Sequence, residues 1–183
     1  MTRPTPSSLL LATILTAGCG ANHLVKKGNA LIDAKRPDSA ATEYQKALDK
    51  DPSNTGALRG LAASYLLKQQ PIRAILPAQR AASSGDIESK KLLVRALLTT
   101  GRTDDALRHA AEGLETAEAD TDFRMLLVEA LIAVGEIDAA ADKADELLID
   151  LPTPEARSLH TWALLRADRM DSAVAMAAEA SAM

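Results

Sequence analysis

Three columns of residues recur along this chain every 32–34 positions, and that period limits the fold more than any single motif. One column is alanine: Ala40, Ala74, Ala106, Ala140 and Ala173. Seven residues further on stand Ala47, Ala81, Gly113, Leu147 and Ala180, and nine residues earlier stand Leu31, Tyr65, Leu97, Leu131 and Leu164. Self-similarity at this period marks an array of stacked supersecondary units, none able to bury its apolar face alone.

Within each unit the apolar spacing is helical, as in Leu93, Val94, Leu97 and Leu98, or Leu127, Val128, Leu131 and Ile132. It predicts upstream helices over about 22–34, 55–68, 87–99, 121–134 and 155–167, and downstream helices over about 38–50, 71–83, 104–117, 138–149 and 171–180. Gly101 and Gly135 fall between paired helices, where a left-handed cap is wanted. Asp38, Asp104, Asp138 and Asp171 open downstream helices and complement the positive end of the dipole. Pro37 and Pro71 sit where a first turn can spare an N–H. The small columns let helix backbones approach closely while the leucines fill the seam. Pro77 falls inside a downstream helix and cannot donate to the carbonyl of Arg73, so a kink or break is expected there.

Composition supports an all-α chain. Aromatics make up only 2% of 183 residues, too few for most sandwiches and barrels and for a platform that stacks single-stranded nucleic acid. The formal charge is −4, so no basic surplus draws a phosphate backbone and nucleic acid is not an expected partner. The single cysteine, Cys19, excludes an internal disulfide framework and a cysteine-based zinc site.

The columns resemble the tetratricopeptide repeat (TPR). The unit from Ala21 to Asn54 carries Gly28, Leu31, Ala40, Tyr44, Ala47 and a closing Asp51-Pro52, and the next keeps Leu61, Ala62, Tyr65, Ala74 and Ala81. The third and fourth keep Leu93 or Leu127, Gly101 or Gly135, and Ala106 or Ala140. The family's early Trp is missing throughout, and the fifth unit has His160 and Thr161 where Leu and Gly are usual. The resemblance implies a right-handed superhelix of about five helix-turn-helix units, at about 21–54, 55–86, 87–120, 121–153 and 154–183. The last unit shows no solvating helix after it, so its edge is expected either to be covered by another chain, with oligomerisation one form of that contact, or to continue into a longer sequence.

The N-terminus reads as an address. Arg3 precedes the apolar run Leu9 to Ala17, too short as a helix to span a bilayer. Thr16-Ala17-Gly18-Cys19 resembles the lipobox of bacterial lipoproteins. That likeness implies a signal peptide over 1–18, cleavage before Cys19 and lipidation of Cys19. Gly20 stands where the inner-membrane retention signal usually has Asp, so the expected location is the periplasmic face of the outer membrane.

No catalytic constellation is evident. His23, His109 and His160 lie in different units with no recurring metal-ligand spacing, phosphate-cradling glycine loops are absent, and no cofactor is expected. In TPR proteins the upstream helices line the concave face, so the resemblance places Asn29, Arg59, Lys91, Arg95, Met125, Glu129, Trp162 and Arg166 toward a protein or peptide partner in the groove. Trp162, the one tryptophan, is read either as an anchor for a partner side chain or as core packing of the last repeat. The expected function is a non-enzymatic, membrane-anchored interaction scaffold, similar to the TPR lipoproteins of pilus assembly and secretin pilotins. The alternatives are a regulatory subunit of an envelope enzyme acting on peptidoglycan or exopolysaccharide, or a cytosolic TPR adaptor if the N-terminus is not processed.

Overall fold

The computed structural model describes residues 6–117 and 120–167, with side chains from residue 20 onward. Among the described residues all regular structure is helical: α1 (Pro6–Asp33), α2 (Pro37–Lys50), α3 (Thr55–Leu67), α4 (Pro71–Ala82), α5 (Ile87–Thr99), α6 (Thr103–Thr116), α7 (Thr121–Val134), α8 (Ile137–Asp150) and α9 (Pro154–Arg166). The expected helix over 171–180 lies outside the described residues. The chain divides into two compact units, Met1–Ala96 and Leu97–Met183, with the division falling inside α5.

The two helices of a hairpin begin by different means. The upstream helices α3, α5, α7 and α9 start from a side-chain cap three residues ahead of its donor. Asn54 accepts from the Ala57 N–H at 3.0 Å, Asp86 from Ser89 at 3.0 Å, Asp120 from Phe123 at 3.1 Å and Thr153 from Ala156 at 3.3 Å. Each satisfies an N–H that the first turn leaves without an intrahelical partner. The downstream helices α2, α4, α6 and α8 have no side-chain cap. They emerge from a turn that closes the helix before them.

That turn repeats in four hairpins. The carbonyls of Leu31, Tyr65, Leu97 and Leu131 accept from the N–H groups of Arg36, Gln70, Arg102 and Glu136, at 2.8, 2.8, 2.9 and 2.9 Å. This is the six-to-one bond of a Schellman motif, which requires the residue before the donor to be left-handed. Gly101 and Gly135 supply that conformation at φ 74° and 100°, and Lys35 and Gln69 adopt it at φ 56° in the first two hairpins. The leucine column thus has a backbone role as well as a packing one.

The small columns lie in the seams. Ala40, Ala74, Ala106 and Ala140 are fully buried, and so are Ala47, Ala81 and Leu147 seven residues later. In the first unit Ala40, Tyr44, Ala47, Leu58 and Leu61 form a core between α2 and α3, with Leu24, Val25, Leu31 and Ile32 of α1 packed on it. In the second, Val128, Ile132, Ala140, Ala144, Leu147, Leu159 and Leu164 join α7, α8 and α9. Ion pairs tie neighbouring helices at the rim: Lys27 to Glu43 at 3.2 Å, Lys68 to Asp38 at 2.6 Å and Arg124 to Asp150 at 2.9 Å.

Two expectations are corrected. No break occurs at Pro77, because α4 is helical without interruption from Pro71 to Ala82. The ring is buried, and its packing offsets the lost hydrogen bond, a loss of about 3 kcal/mol for proline in an isolated helix interior. The first helix starts at Pro6 rather than near residue 22, because no proline or turn residue interrupts the run from Ser7 to Asp33 beyond the isolated glycines that a helix tolerates.

Candidate functional site

The second unit holds a groove of about 680 Å3 lined by Leu98 from the end of α5, Glu129 and Ala133 from α7, and Glu155, Ser158, Leu159 and Trp162 from α9. Helix periodicity explains the set. Glu129 and Ala133 are four residues apart, and Glu155, Ser158 and Trp162 follow at three and four, so each group shares one face of its helix. The walls are apolar, and the polar groups are two carboxylates and one hydroxyl. Trp162 is 44% exposed, far from the burial of a core tryptophan, while Leu159 beside it is buried. An exposed indole over an apolar wall is the arrangement that recurs at interface hot spots.

Two of the sequence-predicted residues, Glu129 and Trp162, meet in this groove. Met125 instead packs on the hydrophobic core of α7, α8 and α9. Arg166 is exposed at the end of α9. The others belong to the first unit. Asn29 accepts a hydrogen bond from the Tyr44 hydroxyl at 2.7 Å. Arg59 pairs with Asp86 at 2.7 Å and is 43% exposed. Lys91 is buried, its Nζ 3.1 Å from Glu88. Arg95 is exposed on α5. Arg59, Lys91 and Arg95 therefore do not make a bare positive surface: the first two are paired with carboxylates, and Lys91 is withdrawn from solvent.

Leu98, Ala133, Glu155, Ser158 and Leu159 were not foreseen. The spacing back from Trp162 by four and seven residues, and forward from Glu129 by four, was the signal that finds three of them.

His160 turns inward from α9. It is 3% exposed and its Nε2 meets Asp145 of α8 in a short contact, while its Nδ1 is buried with no hydrogen-bond partner. The histidine that departs from the family pattern thus joins two helices. Among the described residues no group of three or more His, Cys, Asp or Glu is arranged to hold a metal ion.

Two tetratricopeptide-repeat models match the chain, one over residues 25–87 and one over residues 97–163. A search of curated proteins finds no match. Solved structures share the fold. YrrB, a TPR protein with an unusual peptide-binding site, is 21% identical with a TM-score of 0.69, over 84% of this chain and 80% of its own. TTC0263, a thermophilic TPR protein of Thermus thermophilus, is 22% identical with a TM-score of 0.70, over 87% of this chain and 89% of its own. MamA of Desulfovibrio magneticus RS-1 is 12% identical with a TM-score of 0.79, over 87% and 92% respectively. The two sequence models together span most of the chain, one in each compact unit, and the helical hairpins they describe are the ones observed: this chain belongs to the tetratricopeptide-repeat family.

Proposed function

We propose that this chain holds a peptide segment of a protein partner in the groove of α7 and α9, and does so while tethered to a bacterial envelope membrane. A chain of these repeats is a protein-interaction scaffold. The observation that carries the site is the half-exposed Trp162 over an apolar wall in a groove of about 680 Å3. YrrB, which shares the fold, has a peptide-binding site, and this supports a peptide as the occupant. The lining asks for an apolar side chain against Trp162 and a Lys or Arg near Glu155.

The tether rests on Thr16-Ala17-Gly18-Cys19 and the apolar run before it. Among the described residues no helix is long and apolar enough to cross a membrane. Acyl chains on Cys19 would add about 0.8 kcal/mol for each methylene buried. Confinement to the membrane raises the effective concentration of the groove near envelope partners, and assembly of a pilus or secretion complex is the setting we favour.

Metabolic labelling with a palmitate analogue tests the tether. Label on the wild type and its loss in Cys19→Ser support it, and an unlabelled wild type removes it. Trp162 emission tests the groove, since this is the chain's only tryptophan. Peptides pairing an apolar residue with Lys should shift that emission, and Glu155→Lys should weaken their binding. Equal binding of the Glu-bearing counterparts would remove the assignment.

A further inference from the structure

The first unit carries a surface of its own, built on helices other than those that line the groove. From Pro52 to Gly85 the chain has no acidic residue and four cations, although the whole protein has more acids than bases. This stretch is the α3–α4 hairpin. Two of its cations are already paired: Arg59 with Asp86 at 2.7 Å, and Lys68 with Asp38 at 2.6 Å. The other two, Arg73 and Arg80, have no carboxylate partner among the described residues. Arg73 lies over the Tyr65 ring at 4.3 Å, and donates to the Tyr65 hydroxyl and to Gln70 Oε1, both at 3.0 Å. Arg80 donates to the Pro52 carbonyl at 2.7 Å. Neutral acceptors orient both guanidiniums without cancelling their charge.

Between them lies a recess of about 530 Å3 walled by Leu48, Leu61, Tyr65, Leu76 and Pro77. Ile72 and Leu76, one turn apart on α4, are 76% and 65% exposed, an apolar stripe in solvent on a helix with no acid. Arg73 and Arg80 stand seven residues apart, two turns, or about 10.5 Å along the axis. A second helix laid along α4 presents its own side chains with the same period.

We infer that this α4 face docks an amphipathic helix of a partner protein, whose apolar residues cover Ile72 and Leu76 and whose carboxylates, spaced two turns apart, meet Arg73 and Arg80. The site is separate from the peptide groove of α7 and α9 and does not depend on that reading. Charge complementarity names the occupant. An apolar recess alone would accept any greasy helix, whereas two oriented, uncompensated guanidiniums select one carrying acids in register and repel one carrying lysines.

The test is fluorescence anisotropy with the purified full chain and three labelled, helix-stabilised model peptides that share one leucine face. The first bears Glu at two positions seven residues apart, the second Gln there, and the third Lys. The Glu peptide should bind about tenfold or more tightly than the Gln peptide, with the difference shrinking in high salt. The double variant Arg73→Glu and Arg80→Glu should reverse the preference, binding the Lys peptide over the Glu peptide. Both side chains are on the surface, and a circular dichroism melt checks that the variant folds. Leu76→Gln should weaken the Glu peptide without changing the preference. Equal binding of the Glu and Gln peptides overturns the inference, as does a preference that survives the double variant. A full-chain dimer in sedimentation that the double variant dissociates would also overturn it, since the face would then belong to a second copy.

Discussion

Gly60 on α3 faces the ring of Tyr44 on α2 so closely that a Cβ on Gly60 would lie 2.3 Å from Tyr44 Cζ. Gly28 of α1 meets the same ring, with its Cβ position 2.5 Å from Cε1. The ring is 1% exposed and its hydroxyl is bonded to Asn29, so it has nowhere to withdraw. The second unit repeats the device with Gly113 and Phe123, where the distance is 2.2 Å. Alanine at position 60 would gain about 1 kcal/mol of helix propensity, but overpacking a fixed ring costs about 1–3 kcal/mol. The clash is with ring carbons of a pinned side chain, so sterics win. Gly60→Ala should lower the melting temperature, and adding Tyr44→Leu should make the alanine nearly neutral in a double-mutant cycle.

The Schellman turns predict substitutions of opposite sign. Nothing lies within 4 Å of a Cβ at Gly135, so the cost of Gly135→Ala is the left-handed backbone alone, about 1 kcal/mol of destabilisation. Gln69 adopts the same conformation with a side chain and is exposed, so Gln69→Gly should be neutral or stabilising by up to about 1 kcal/mol. Urea denaturation of the two variants checks both signs. Destabilisation by Gln69→Gly equal to that of Gly135→Ala would refute the assignment of the turn.

Glu43 sets an acid limit on the first unit. Hydrogen bonds from Lys46 and then Lys27 hold its carboxyl below the ordinary value of 4.5. A carboxylate with a depressed folded pKa contributes stability that is fully present above its ordinary value and is lost as pH falls through the folded value. Glu43→Gln should therefore melt below the wild type at neutral pH. The two curves should converge as pH drops below the folded value. Thermal melts across that range decide it, and a gap that widens toward acid would contradict the assignment.

Most of the fold was legible because its signals are local and repeated. A buried alanine every 32–34 residues, with a leucine or tyrosine nine residues before it, is a packing requirement written several times over. The left-handed turns were legible at Gly101 and Gly135 but not at Lys35 and Gln69, where the residue type carries no such signal and the six-to-one hydrogen bond holds the conformation. Pro77 misled in the other direction. Its cost is a property of an isolated helix, and burial of the ring is tertiary information that helix propensity does not contain.

The site was less legible. Trp162 and Glu129 stand out by type and position, but Lys91 and Arg59 were placed toward the groove by the resemblance alone, and their ion pairs with Glu88 and Asp86 depend on rotamers and helix packing that the repeat pattern does not contain. The α4 face escaped for a related reason. Ile72 and Leu76 fit a core stripe by periodicity, and only the folded hairpin shows them facing solvent. The side chain of Cys19 lies outside the described residues, so the lipid tether remains a proposal carried by sequence.

Photo-crosslinking inside the cells that make this protein tests the groove most directly. A photoreactive residue placed at Ser158, one turn from Trp162 on the exposed side of α9, should capture one discrete partner, and Trp162→Ala in the same chain should abolish the adduct. The same residue placed at Ile149, which is 82% exposed on α8, should capture nothing of that mass. Equal capture at both positions, or an adduct indifferent to Trp162→Ala, would show that the groove of α7 and α9 is not where this scaffold holds its partner.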